Sequence, residues 1–269
     1  MMNSDWDALP LYLAKMTSPE IKQSTETVKI VLLAVGSIEQ HGAHLPIETD
    51  LATAEYLARE AVLDARRASG APIALIAPSV PYGGPGLAMD GWAGTIALRP
   101  EVLIEVIIDI GHAVAAMGFP ALVLLNGCYG NVPALTLAAQ KLKKQVPQNH
   151  VILIDSVWAM PGVIRDVRET ELGGTGHAGE VETSTHLVID PEHVKMQSAR
   201  KELLHHLSSQ ISFDFDSSSP FYLPLAFHEL TEHGVIGDPQ KASAEKGKVI
   251  LEANVGRISR ALQQISELV

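Results

Sequence analysis

"KIVLLAVGSIEQHGAHLPIETD", residues 29–50, joins an unbroken apolar run to a stretch holding two glutamates, two histidines and an aspartate. The first eight residues read as a strand buried on both faces, because no polar residue interrupts the run after Lys29. Asp50 then leads into "LATAEYLAREAVLDARRASG", whose apolar spacing, closing Arg66 and Arg67, and Gly70 predict a helix with its stop signal. A buried strand followed directly by a helix is the opening of a parallel α/β sheet.

The same alternation continues along the chain. "PIALIAPSV" (72–80) reads as a second strand, and "PEVLIEVIIDIGHAVAAMG" (100–118) as a helix opened by Pro100 and closed by Gly118. "PALVLLNG" (120–127) is a third strand, "NVPALTLAAQKLKKQ" a helix with Asn131 as its expected cap, and "HVILID" (150–155) a fourth strand. Beyond Met160 the pattern loosens into a charged, Gly-rich loop leading to a helix, and "SFDFDSSSPFYLP" (212–224) reads as a surface excursion before a last helix at about 240–268. With no internal repeat and no long linker, residues 1–269 are expected to form one domain, a three-layer α/β/α sandwich around a mostly parallel sheet.

Composition bounds the function. A hydrophobic content of 46% supports a sizeable core, and 20 basic against 31 acidic residues give a net charge of −11. An acidic chain lacks the positive face that nucleic acid or an anionic membrane requires, so neither partner is expected. Val102 to Gly127 is apolar but is interrupted by Glu105, Asp109 and His112, which marks a helix, a turn and a strand rather than a membrane span. The opening "MMNSDWDALP" shows no secretory pattern, and the single Cys128 excludes an internal disulfide; a cytoplasmic location follows as the expectation.

In open parallel sheets, ligands bind beyond the carboxyl ends of the strands. Those ends carry Glu39 and His41, Ser79 and Tyr82, Asn126 and Cys128, and Asp155 and Trp158. Glu39, His41 and Asp50 form an E-x-H-x8-D pattern in which carboxylate and imidazole donors suit Zn²⁺, Mn²⁺ or Fe²⁺, and a shared aspartate suits two ions. Taken singly, Asp50 as a helix cap and His41 as a turn residue are ordinary; taken together on one strand end, they point to a site. "GTGHAGEVET" sets His177 five residues before Glu182 on a new helix, as a proton shuttle with a further ligand or as a flexible capped loop. Its G-x-G-x-x-G spacing follows the charged "RDVRETEL" instead of an apolar strand, which excludes dinucleotide binding. Cys128 in "NGCYGN" (126–131) is a thiolate ligand, a nucleophile or an inert small residue. "HELTEH" spaces His228 and His233 five apart, one too many for a zincin helix. His112, His205 and His206 read as surface or packing residues, and "PYGGPG" (81–86) as a rim loop.

Together, "GSIEQHGAHLP-x3-D", "PYG", "GTIALRPE", "NGCYGN", "GHAGEVETS" and "GVIGDP" occur in an order that resembles the creatininase (creatinine amidohydrolase) family, across residues 30–255. The resemblance implies a homohexamer of three-layer subunits, each with two divalent ions, hydrolysing a C–N bond, often in a small cyclic amide. It implies that Glu39, His41, Asp50, Cys128 and Glu182 are metal ligands with Asp50 bridging, and that His177 is catalytic. Cys128 replaces the family's histidine ligand, and Gly130 stands where creatininase has a glutamate. Gly173 stands where creatininase has a substrate-covering tryptophan, four positions before His177, which turns the expectation away from creatinine itself. Tyr82, Tyr129 and Trp158 are expected as walls for a small-molecule substrate, with backbone N–H groups near Tyr129 and Gly130 facing an oxyanion. Two rivals remain: a metal-free hydrolase with Cys128 as nucleophile, and a silent binding protein.

Overall fold

Strand β1 (Ile30–Val35) is buried at every position, as a central strand covered on both faces must be. In the computed structural model, which describes residues 10–85, 89, 91–154, 161–204, 213–216 and 224–269, it follows a short helix α1 (Ser18–Ser24). Helix α2 (Thr49–Ser69) then leads to β2 (Ala74–Ile76), α3 (Pro100–Met117) to β3 (Ala121–Asn126), and α4 (Val132–Gln145) to β4 (His150–Ile154). All pairings are parallel, in the order β2-β1-β3-β4. Helices α5 (Pro161–Val167), α6 (Glu180–Ile189), α7 (Phe227–Leu230) and α8 (Ala244–Leu268) complete the chain.

The period-2 alternation of a strand divides the interior into two cores. Ile30, Leu32 and Ala34 face α2 and α8 through Leu57, Ala61, Leu251 and Leu262. Val31, Leu33 and Val35 face α3 and α4 through Leu103, Ile107, Leu135 and Ala138. Helices therefore cover both faces of the sheet, the α/β architecture expected from the sequence. Helix stops fall where the sequence placed them: Gly70 and Gly118 adopt φ of +65° and +101°, a region where a side chain is costly. Ser243 opens α8 by accepting from the Lys246 N–H at 3.3 Å. Among the described residues, no helix is long and apolar enough to cross a membrane.

The strand order creates a switch point. The chain leaves β1 through α2 on one face and β3 through α4 on the other, opening a crevice at their carboxyl ends. Two glycines let α2 close that crevice. A β-carbon on Gly36, just past β1, would stand 2.5 Å from the Leu51 Cα, and one on Gly127, just past β3, would stand 2.3 Å from the Asp50 carbonyl oxygen. Only residues without side chains allow the first turn of α2, with Asp50 in it, to rest directly on the sheet's rim.

Three expectations change. The second strand is shorter than 72–80: the continuous ladder covers Ala74–Ile76 and lapses around Pro78, which offers no N–H, before Val80 returns as an isolated bridge to Val35. Asn131 does not cap α4 through its side chain. Its amide instead donates to the Gly36 carbonyl at 2.9 Å, while its oxygen accepts from the Gly84 N–H at 2.8 Å, tying two rim loops to the start of α4. Within 212–224, residues 213–216 are no surface excursion, since Asp214 is buried and bonded to Arg168.

Replacing Gly127 by alanine is expected to destabilise the fold by ~1–3 kcal/mol, the usual cost of overpacking. A fall in Tm by calorimetry, larger than that of Gly162→Ala in open space, checks it.

Candidate metal centre

Five side chains from four separate segments meet beneath the first turn of α2. Glu39 and His41 come from the loop after β1, Asp50 from the second residue of α2, Cys128 from two residues past β3, and Glu182 from the first turn of α6. His41 Nε2 lies 3.4 Å from Asp50 Oδ1 and 3.8 Å from Glu182 Oε2. Cys128 Sγ lies 3.4 Å from Glu39 Oε2, and His177 Nδ1 lies 3.9 Å from Glu39 Oε1. Three overlapping donor sets result: Glu39, Asp50 and Cys128; His41, Asp50 and Glu182; and Glu39, His41 and His177. Asp50 belongs to two of them. The carboxylates, His41 and Cys128 are all buried, whereas the His177 side chain retains 14% exposure.

The electrostatics of this cluster are unbalanced. Burial, reinforced by Asp50, pushes the Glu39 carboxyl up to about 7, and burial with Asp50 pushes Glu182 up to about 8. Burial alone would lower His41, but Asp50 and Glu182 outweigh it and carry the imidazole up to about 10. Burial, then Asp50 and Glu39, hold the Cys128 thiol well above its ordinary value. Such shifts are what crowding acidic groups together away from water produces. The hydrogen bonding agrees: the His41 Nε2 and Asp50 Oδ2 atoms are buried without a hydrogen-bond partner. Meanwhile His41 Nδ1 lies 3.1 Å from the Glu39 carbonyl oxygen, so its N–H is used there and Nε2 faces the acids. Donors of this kind, orphaned and converging, fit a divalent cation.

Further residues, not singled out in the sequence, hold the ligands. The Ser37 hydroxyl donates to Glu39 Oε2 at 2.6 Å, and the Ala178 N–H to Glu182 Oε2 at 2.5 Å. His177 Nε2 lies 2.8 Å from the Gln40 carbonyl, which leaves Nδ1 to face Glu39. Its ring packs against Phe227 and His41 with centroids 4.8 and 4.3 Å away. Burial, then His41, press the His177 imidazole well below its ordinary range. "GVIGDP" serves this loop: Ile236 donates to the His177 carbonyl and Asp238 to the Gly174 carbonyl, at 2.8 and 2.9 Å. Ala178 adopts φ +53°, a strained conformation for a residue with a side chain, next to the catalytic candidate.

The expected substrate walls are less enclosed. Tyr82 and Tyr129 stand on the rim, 41% and 72% exposed. Trp158 and Asp155 lie outside the described residues, as do His205 and His206. His112 reaches Gln145 on α4, and His228 and His233 are exposed. Gly130 leaves no room for a larger residue, since its β-carbon would meet the Pro85 Cα at 2.8 Å.

Comparison with known proteins agrees with this geometry. Residues 14–262 match the family model described as "Creatininase: Creatinine amidohydrolase". The chain is 31% identical over 265 residues to the mycofactocin precursor peptide peptidase of Mycobacterium ulcerans (strain Agy99), covering 96% of both chains. It is 28% identical over 248 residues to the creatinine amidohydrolase of Pseudomonas putida, covering 87% of this chain and 89% of that one. Among solved structures, "Creatininase Mn" superposes with a TM-score of 0.77 at 24% identity, over 94% of this chain and 98% of the other.

Asp214 anchors the His177 loop, accepting from the Gly173 N–H at 2.6 Å and from both terminal nitrogens of Arg168 at 2.8 Å. Burial raises its carboxyl, but the bonds from Arg168 outweigh that and leave it below its ordinary value. A depressed folded-state pKa contributes stability above the unfolded value of ~3.9 and loses it as pH falls further. Asp214→Asn is therefore expected to lower Tm at pH 7, with the gap to the parent protein narrowing at acid pH, as thermal melts across pH will read.

Proposed function

The chain belongs to the creatininase family, and we propose that it hydrolyses the amide C–N bond of a small, cyclic substrate at the centre built by Glu39, His41, Asp50, Cys128 and Glu182. The observation that carries this reading is the buried Asp50 carboxylate, shared between two donor sets and left with an unpartnered oxygen beside the unpartnered His41 Nε2. Two divalent ions, of the Zn²⁺, Mn²⁺ or Fe²⁺ type, held by these donors would supply an activated water and polarise a carbonyl. Every other task falls to the chain itself.

His177 is the proton carrier. Its Nδ1 lone pair faces Glu39, its Nε2 is held by the Gln40 carbonyl, and its partial exposure gives it access to the leaving nitrogen. A buried neutral imidazole takes a proton from the attacking water and returns it to the departing amine. Backbone N–H groups near Tyr129 and Gly130, at the start of a turn, would steady the developing oxyanion, and Tyr82 and Tyr129 would border the substrate. Gly173 has no described atom within 4 Å of where a side chain would begin, so the wall a tryptophan would build there is missing. That open side supports a substrate other than creatinine. A second reading, favoured by the relative named as a peptide peptidase, is that the amide belongs to a short peptide.

A metal-free thiol mechanism is the weaker rival: the Cys128 sulfur is flanked by Glu39, an acid, whereas a nucleophilic thiol needs a base or a positive neighbour. A silent binding role fails to explain why His177 is held so firmly beside the acids. The proposal includes a single domain, a hexameric assembly and a cytoplasmic setting.

Thorough chelation is expected to abolish hydrolysis in a screen of lactams, cyclic ureides and short peptides, and Zn²⁺ or Mn²⁺ to restore it. Activity surviving chelation overturns the metal-dependent reading. His177→Asn is expected to lower kcat by ~10²–10⁴-fold while metal content by elemental analysis stays unchanged.

A further inference from the structure

The donor sets that share Asp50 differ in chemistry. One offers nitrogen and oxygen (His41, Asp50, Glu182); the other offers sulfur and oxygen (Glu39, Asp50, Cys128). We propose that Cys128 Sγ is a metal ligand and makes its half of the centre selective for thiophilic divalent ions such as Zn²⁺ over Mn²⁺. This rests on the metal-dependent reading above and adds a metal preference that the chain's own sulfur imposes.

Geometry supports sulfur as a ligand. For an ion about 2.3 Å from sulfur and about 2.0–2.2 Å from a carboxylate oxygen, tetrahedral placement sets the two donors about 3.5 Å apart. Cys128 Sγ and Glu39 Oε2 stand 3.4 Å apart. The remaining member of the set, Asp50, brings a buried oxygen with no hydrogen-bond partner. The backbone of Cys128 is also immobilised. Its N–H donates to the Asn126 side-chain oxygen at 3.2 Å, and the Asn126 amide donates to its carbonyl at 2.7 Å. Clamped on both sides, the residue has only its sulfur free to respond to a ligand, and that sulfur points to the acids.

Chemistry then decides the preference. A thiolate favours Zn²⁺ and its heavier analogue Cd²⁺, whereas carboxylates suit Mn²⁺ equally well. On binding, the S–H bond breaks, the proton leaves to solvent, and the sulfur pair forms the metal bond; the thiolate offsets one of the ion's two positive charges, and the carboxylates of the same set face the other.

Metal-free protein titrated with Cd²⁺ tests this by ultraviolet absorption, which reports sulfur-to-metal charge transfer independently of activity. The parent protein is expected to show the band at one equivalent per chain, and Cys128→Ser to lose it. In competition, the parent protein should retain Zn²⁺ against excess Mn²⁺ at that half, with Cys128→Ser weakening Zn²⁺ by at least the roughly tenfold that losing even an outer partner costs. Cys128→His, which keeps a ligand, should bind metal without the band and accept Mn²⁺; circular dichroism confirms that each variant is folded. Cd²⁺ bound with no band, or Zn²⁺ affinity unchanged in Cys128→Ser, overturns the role of the sulfur and leaves metal-dependent hydrolysis standing. A band accompanied by equal retention of Mn²⁺ overturns the selectivity. Failure of the parent protein to bind any divalent ion overturns both this inference and the function it rests on.

Discussion

The contact on which the rest depends is the docking of the first turn of α2 onto the carboxyl ends of β1 and β3. A helix backbone reaches a sheet's rim this closely only where the strands end in residues without side chains, and Gly36 and Gly127 occupy both positions. The arrangement places Asp50 at the switch point of the sheet, between the loop bearing Glu39 and His41 and the turn bearing Cys128. A carboxylate on the first turn also meets the positive end of the helix dipole, which offsets part of its burial. Without that approach, the donors that follow β1 and β3 would lack the carboxylate that stands beside both His41 and Cys128.

Once the acids are gathered, their mutual repulsion becomes the dominant local cost. Glu39, Asp50 and Glu182 are buried together with one well-placed imidazole to balance them. Burial disfavours each charge and proximity disfavours their sum, so the protein must hold them by other bonds. Ser37 secures Glu39, the Ala178 amide secures Glu182, and the His41 ring is fixed by the Glu39 carbonyl. The strained φ of Ala178 belongs to the same account: the backbone turns there so that its N–H meets Glu182, and the 234–238 segment holds the turn in place.

Much of this was legible in the residues. Buried apolar runs marked β1 and β3, glycines marked the ends of α2 and α3, and the metal-capable groups stood at strand ends where α/β sheets bind ligands. What escaped were the partners that act across sequence distance. Gln40 looked like an ordinary polar loop residue, yet its carbonyl orients His177, 137 positions away. Phe227 carried no local signal of a place against that ring. Asn131 stood where a helix cap belongs, and only the three-dimensional approach of two rim loops shows that its amide is used elsewhere. Asp214 sat in a polar stretch that read as surface because Arg168, its partner, lies 46 positions earlier. Local pattern reports the element a residue belongs to; it does not report which distant group will satisfy its polar atoms.

The two departures from the family's residues act on different parts of the chemistry. Cys128 changes the donor set itself, whereas Gly173 changes what lies over it. Gly130, with the Pro85 backbone 2.8 Å from any added β-carbon, could take a larger residue only if the rim moved, so glycine there is built into the backbone. On the proposed reading, a thiolate at 128 would add sulfur to the carboxylates of Glu39 and Asp50. Sulfur there would make that donor set softer than carboxylates alone. At Gly173 the φ of +95° favours glycine for backbone reasons, and no described atom lies within 4 Å of where a side chain would begin. On the proposed reading, metal preference and access to the centre would thus be set at independent positions.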